Sequence, residues 1–280
     1  MCQAFYGATS ETSLYLQIAD LLAGAKVRLL ALAESEPEEN LYGRETRYQR
    51  KSAQEWYSFI RSGRAPWEFY LPNAGAERLF SVTNATFFSR TETETTAVPF
   101  PLLSANNNSF GVSHPRFPET EAEEVERGLA SDYEAPKEAF ELGYTEGTGG
   151  SSIQKVAIRP FRARYGFPDV EEILEINEIP AEFEAWDGAV SFTPEYRINE
   201  LARRNYVGID ANNVYMLSTR AEYTNAEVIE IMHGIDREMK LIQMDGGGST
   251  QLYSEYRELR SNIPFGGRKV ASVLAFYRSE

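Results

Sequence analysis

Gly246, Gly247 and Gly248 stand in a row directly after a short apolar run, in the stretch Met239 to Leu252, MKLIQMDGGGSTQL. Leu241, Ile242 and Met244 read as a short buried strand that stops on Asp245. Three successive glycines strip side chains from a turn, make positive φ available and let a ligand approach the main chain. Their N–H groups can converge on an anion. A carboxylate before the turn, and the hydroxyls of Ser249 and Thr250 after it, complete a compact polar cluster. The plainer alternative is a glycine-rich surface turn.

At 280 residues the chain is one large domain or two small ones. A single domain of that length buries about three quarters of its unfolded surface, so it needs no disulfide or metal to hold it. The formal net charge of −14 argues against nucleic acid or an anionic membrane as a general partner. An anionic substrate would have to be met by local Arg or Lys groups. Cys2 is the one cysteine, which leaves no internal disulfide and no thiol-based metal site. The N-terminus lacks a basic segment followed by an apolar one, and no apolar run reaches membrane-spanning length, so a cytoplasmic location is the expectation.

Along the chain, Leu14, Ile18, Leu21 and Leu22 fall at helical spacing between Ser10 and Gly24, which predicts a first helix. A strand follows at 26–33, then a capping box, Ser52 to Glu55, opening a helix that Gly63 ends. RLFSVTNATFF, 78–88, reads as a strand with Asn84 in its second half, either a paired structural amide or a site residue. Residues 119–146 carry ten acidic groups against Arg127 and Lys137. The stretch around 119–150 is expected to be a solvated insertion with an exposed helix. Strand character resumes at 153–166, and a short helix is expected at 169–178. Two short strands are predicted around Asp187-Gly188, and a hairpin around Asp210 to Asn213. Thr224 to Glu227 is a second capping box, and the last strand begins at Arg268. The expected fold class is α+β, a mixed and largely antiparallel β-sheet with a few packed helices. Residues 1–77 form the N-terminal part of the same domain (helix, strand, helix), and 78–280 the core.

The polar candidates are Asp245, Ser249, Thr250, Asn84, Arg204, Arg260 and Arg268. Arginines suit the oxygens of a phosphate, and a carboxylate suits a proton or a developing cation. His114 and His233 form no ligand pair, so a histidine-based metal site is not expected. There is no G-x-S-x-G elbow for a serine hydrolase. A D-x-G-G-G-[ST] turn also cradles phosphate in exopolyphosphatase and actin-like phosphotransferases. That fold needs an earlier phosphate loop and a long second half, whereas only 35 residues follow Asp245.

The order of segments resembles the phosphodiester glycosidase family: Asn84-Ala-Thr-Phe-Phe88, then Arg204-Asn-Tyr-Val-Gly208, a capped helix, Asp245 to Thr250, and Arg268-Lys-Val. Asn205 stands where the family usually has Thr, and the acidic stretch is an addition. The resemblance implies a phosphodiester glycosidase-like core and hydrolysis of a sugar joined through its anomeric carbon to a phosphodiester. It implies Asp245 as base or cation stabiliser and Arg204 as phosphate clamp. Gly246, Gly247 and Gly248 would supply N–H donors, while Asn84, Ser249 and Thr250 would orient sugar hydroxyls or water. Arg268 is a further substrate-binding candidate. No cofactor is implied, and a divalent cation beside Asp245 stays open. The implied partner is a small-molecule or glycan phosphodiester, with self-association left open. The alternative is a non-catalytic module that captures a phosphorylated sugar or nucleotide sugar.

Overall fold

The computed structural model describes residues 3–5, 14–22, 24–31, 38–40, 43–45, 47–62, 77–87, 95–97, 102–106, 109–113, 137–146, 152–161, 185–254, 258–259 and 268–279. The first part holds strands β1 (Gln3–Phe5), β2 (Leu14–Asp20), β3 (Lys26–Ala31), β4 (Glu38–Asn40), β5 (Gly43–Glu45) and β6 (Arg47–Gln49), then helix α1 (Ala53–Arg61). Strands β7 (Glu77–Asn84), β8 (Thr95–Ala97), β9 (Leu102–Asn106), β10 (Ser109–Ser113), β11 (Lys137–Glu146), β12 (Ser152–Phe161) and β13 (Ala185–Phe192) follow. The last part contains β14 (Asn205–Ile209), β15 (Asn213–Thr219), helix α2 (Asn225–Ile235), β16 (Lys240–Gln243), β17 (Leu252–Ser254), β18 (Glu258–Leu259) and β19 (Ser272–Ser279).

Three five-stranded sheets are built from them, in the orders β1-β2-β15-β14-β16, β10-β9-β13-β11-β12 and β18-β17-β7-β19-β3. The pairings within the described strands are antiparallel. All three sheets feed one apolar core: Ala19, Val207, Met216 and Ile242 from the first, Phe140, Ile158 and Ala189 from the second, Val27, Leu29 and Leu274 from the third. Each helix covers the other face of a sheet. Helix α1 packs Trp56, Tyr57 and Ile60 on Val82, Val273 and Ala275, and α2 packs Val228 and Met232 on Tyr206, Leu217 and Leu241. Strands covered on both faces read as continuous apolar runs rather than alternating ones. That accounts for Asn205–Ile209, which is buried throughout.

Both capping boxes form. Ser52 accepts from the Glu55 N–H at 3.2 Å while Glu55 accepts from the Ser52 N–H at 2.7 Å, and Thr224 and Glu227 repeat the arrangement. The Asp210 turn also forms, its carboxylate accepting from the Asn212 and Asn213 N–H groups at 2.7 Å each. No described helix is long and apolar enough to cross a membrane.

Three expectations are corrected. The first helix is a strand: Leu14 to Thr219 pairing runs through Asn213↔Asp20 along β15. Leu14, Leu16 and Ile18 meet the α2 side of the sheet, and Ala19 meets the core, so the alternation of both faces outranks the helical spacing of the leucines. The Asp187-Gly188 turn is absent. Strand β13 runs straight through it, with Gly188 opposite Glu141 on one side and Leu103 on the other, because pairing on both edges keeps the backbone extended. The acidic stretch is not wholly solvated, since residues 137–146 form β11, an interior strand of the second sheet. Phe140 and Leu142 supply core, and buried Glu141 is held by Arg159 through two bonds of 2.6 and 2.7 Å. Residues 114–136, Gly63 and the helix expected at 169–178 lie outside the described residues.

Candidate active site

The glycine turn is the crossover between two sheets. Strand β16, at the edge of the first sheet, ends at Gln243, and β17 of the third begins at Leu252. Backbone bonds tie the crossover to both sides: the Met244 N–H donates to Asn205 O at 2.7 Å, and the Asp245 N–H to Ala85 O at 2.9 Å. Asp245 is thereby fixed where the ends of β7, β14 and β16 meet.

A buried amide network sets the shape of this junction. Asn84 Nδ2 donates to the Asp245 carbonyl at 2.6 Å. Its Oδ1 accepts from the Gln251 N–H at 3.0 Å and from Asn205 Nδ2 at 3.1 Å. One side chain therefore spans both ends of the turn, and Asn84 is 1% exposed. Asn205 Nδ2 also donates to Asn84 O at 2.8 Å, while its Oδ1 accepts from Ser218 Oγ at 2.6 Å. Gln251 bridges outward, accepting from the Ala53 N–H of α1 and donating to Arg268 O, each at 2.7 Å. Buried amides with all groups paired give a polar junction one geometry, because every alternative leaves an unsatisfied group.

Each glycine has its own reason. A Cβ on Gly246 would lie 2.7 Å from Arg203 O, so two backbones touch there. Gly247 has φ of +57°, the left-handed region that glycine enters without strain. A Cβ on Gly248 would lie 2.9 Å from Arg268 Nη2, so a guanidinium rests on the bare backbone. The N–H groups of Gly247, Ser249 and Thr250 donate to Arg203 O, Gly246 O and Gly247 O. Those of Gly246 and Gly248 have no hydrogen-bond partner among the described residues. The Gly247 N–H is therefore committed within the fold.

Arg268 also donates from Nη1 to Ser249 Oγ at 3.2 Å, so it belongs to the turn as much as the glycines do. Arg204 enters the junction by its backbone, and its guanidinium runs to the carbonyls of Tyr223 (2.9 Å from Nε) and Glu200. Burial lowers the proton affinity of Arg204, against the pull of Tyr206 and Glu200. Burial pushes the Tyr206 phenol up, so it stays neutral. It donates to Pro194 O at 3.0 Å. The Thr250 Oγ1 is buried and has no hydrogen-bond partner among the described residues.

The structure thus brings Asn84, Asp245, Gly246, Gly247, Gly248, Ser249, Thr250 and Arg268 into one junction, with the Arg204 main chain against them. Arg260 lies outside the described residues. Among the described residues no group of three His, Cys, Asp or Glu side chains is placed to hold a metal ion. Sequence reasoning passed over Gln251, and took Asn205 only as a departure from a pattern. Gln251 had a weak signal, a polar amide between a glycine turn and an apolar strand.

The order β14, β15, α2, β16, glycine turn, β19 is also what a comparison of sequences detects. The phosphodiester glycosidase family model matches residues 176–277. That segment, less than half of the chain, is similar to the phosphodiester glycosidase family. It takes in the hairpin, α2, the turn and most of the last strand, leaving β7 and its Asn84 outside the match. No curated protein sequence matches. Two solved structures similar to the chain are a hypothetical protein from Synechocystis and a zebrafish enzyme. The first shares 12% identity over 99% of this chain and 62% of its own, with a TM-score of 0.42, so this chain spans under two thirds of it. The second is the catalytic domain of zebrafish N-acetylglucosamine-1-phosphodiester alpha-N-acetylglucosaminidase auto-inhibited by its pro-peptide. It shares 10% identity over 100% of this chain and 88% of its own, with a TM-score of 0.39.

Proposed function

We propose that this protein hydrolyses the bond between a sugar anomeric carbon and a phosphodiester, releasing free sugar and a phosphomonoester. The observation that carries the reading is the glycine turn itself: Asp245, the Gly246 to Gly248 backbone and the Arg268 guanidinium gathered on one crossover between sheets. Cleavage at carbon passes through an oxocarbenium-like state, which a carboxylate stabilises, and this is the role assigned to Asp245. The leaving oxygen stays on phosphate, and arginine and N–H donors hold its charge. Arg268 is assigned to the phosphate because it rests on the turn. Arg204, with two guanidinium nitrogens on carbonyls, is assigned to holding the β14 approach in place. Asn84 acts through Asp245 and Gln251, and Ser249 through Arg268.

The test is a panel of sugar-1-phosphodiesters, nucleotide sugars included, incubated in ¹⁸O-labelled water and followed by mass spectrometry. Label on the sugar is expected. Label on phosphate would mean P–O cleavage and sink the mechanism. Tight binding of one member without turnover of any would replace the enzyme by a binding module. Asp245→Asn should abolish turnover with the melting temperature preserved, and an unaffected rate would remove Asp245 from its role.

A further inference from the structure

We propose that Glu138, Ser191 and Lys240 form a proton-controlled contact between the second sheet and β16, through which ionisation of Glu138 repositions the strand that leads into the glycine turn. The inference goes beyond the hydrolase reading, and its test needs no substrate.

Register sets the place. Phe140 of β11 stands opposite Ala189 of β13 and Ile158 of β12, and all three share the core with Ile242 of β16. Side chains two residues apart on a strand lie on the same face. One rung out on that face, Glu138 is opposite Ser191 on one side and Pro160 on the other. On β16 the same step leads from Ile242 to Lys240, which pairs with Ile209. Directly opposed residues hold their Cβ atoms about 4.5–5.5 Å apart, so a carboxyl and a hydroxyl at such positions can meet. Glu138 Oε2 and Ser191 Oγ are both buried, and neither has a hydrogen-bond partner among the described residues. Two open polar atoms on facing positions of a native interior call for a reason.

The charges around this gap decide what each protonation state does. Among the described residues, Glu195, just past β13, and Lys240 are the charges that act on Glu138. Pro160 is the facing residue of β12, and Arg159 beside it is turned to Glu141. Asp210, after Ile209, is taken up by Asn212, Asn213 and Tyr215. Burial, with Glu195 adding to it, lifts the Glu138 carboxyl to about 7. Below that pH the acid is neutral, and Lys240 stays exposed, as in the structure. Above it a carboxylate stands in the gap and demands donors. Ser191 supplies one from the adjoining strand. Lys240, the cation facing it from the first sheet, supplies the other by folding inward, which draws the start of β16 toward β11. Strand β16 is an edge strand of four residues, and the chain beyond it is tied to Asn205 at Met244 and to Ala85 at Asp245. A pull at Lys240 is therefore carried along the strand to Asp245 and the turn.

The test is an NMR titration of backbone amide shifts between pH 5 and 9, on the full chain. Amides from Leu241 to Gly248 should move together with a midpoint of about 7, while those of α1 stay flat. Glu138→Gln should remove the movement. Lys240→Met and Ser191→Ala each remove a donor to the carboxylate, and each should raise the midpoint by about 0.5–1 pH unit. Glu195→Gln removes a repelling charge and should lower it by about as much. His233, whose Nε2 lies 3.2 Å from Met239 O, is the neighbour of β16 to be told apart, and His233→Gln should leave the movement in place. A movement that survives Glu138→Gln, vanishes with His233→Gln or stays within β11 and β13 would overturn the contact. So would a midpoint unmoved by Lys240→Met or by Ser191→Ala. Lys240 is exposed, so its variant keeps the test open should Glu138→Gln fail to fold.

Discussion

Replacing Gly246 by alanine separates a backbone constraint from a functional one. The added Cβ would lie 2.7 Å from Arg203 O, where ordinary contact begins at 3.4 Å. One of two backbones must therefore retreat by about 0.7 Å. Neither is loose. Arg203 O accepts from the Gly247 N–H at 2.8 Å, and the next residue is held to Thr219 by bonds of 2.7 and 2.9 Å. The backbone angles of Gly246, φ −114° and ψ −153°, are extended, so the penalty is the clash alone. Overpacking costs about 1–3 kcal/mol. Stretching one backbone bond adds about 1 kcal/mol, and the stiffer unfolded chain returns about 0.5 kcal/mol. The net loss is about 1.5–3.5 kcal/mol, or roughly 3–6 °C in melting temperature for a chain of this length. Gly248→Ala is the control. The three atoms nearest its Cβ would all belong to the guanidinium end of Arg268, which can swing away, so stability should fall by less than about 1 kcal/mol. Displacing Arg268 from Ser249 should instead lower turnover. Thermal melts followed by circular dichroism, with turnover measured on the same samples, read both effects. A Gly246→Ala protein melting within about 1 °C of wild type would refute the contact argument. So would Gly248→Ala being the more destabilised of the two.

Other perturbations probe the junction and its surroundings. Asn84→Asp puts a second acceptor against the Asp245 carbonyl, now 2.6 Å from an N–H donor. It should cost about 3 kcal/mol in urea unfolding, and a loss under about 1 kcal/mol would deny Asn84 its bridging role. Ser52→Ala removes the α1 cap and should cost about 1 kcal/mol, with no loss meaning the cap is idle. Burial, helped by Glu195 and opposed by Lys240, raises the Glu138 carboxyl to about 7. A raised acid keeps its proton in the fold, so stability falls as pH climbs from about 4.5 to 7 and stays low above. Glu138→Gln removes that fall. Discounted for partial exposure, it should gain about 1–2 kcal/mol on wild type between pH 4.5 and 8. An unchanged difference would show that Glu138 titrates normally.

Local sequence determined the features whose partners lie within a few residues. Both capping boxes, the Asp210 turn and the apolar run into the glycines are of this kind, because their hydrogen bonds close within one turn. The glycine turn with Asp245, Ser249 and Thr250 was legible as one compact polar cluster for the same reason, and the order of segments was enough to suggest the family. Tertiary structure decided the rest. Leu14 to Leu22 satisfies a helical spacing and a strand alternation at once, and only β15 alongside it selects the strand. Asp187-Gly188 can turn or extend, and two neighbouring strands hold it extended. Strand β11 is acidic by composition, yet Arg159 and the flanking strands make it interior. In the site, Asn84 became a bridge, and Arg204 became an anchor pointing at carbonyls. Gln251 emerged as a member. Each of those contacts joins residues distant along the chain, so its energy exists only after the sheets have closed on one core.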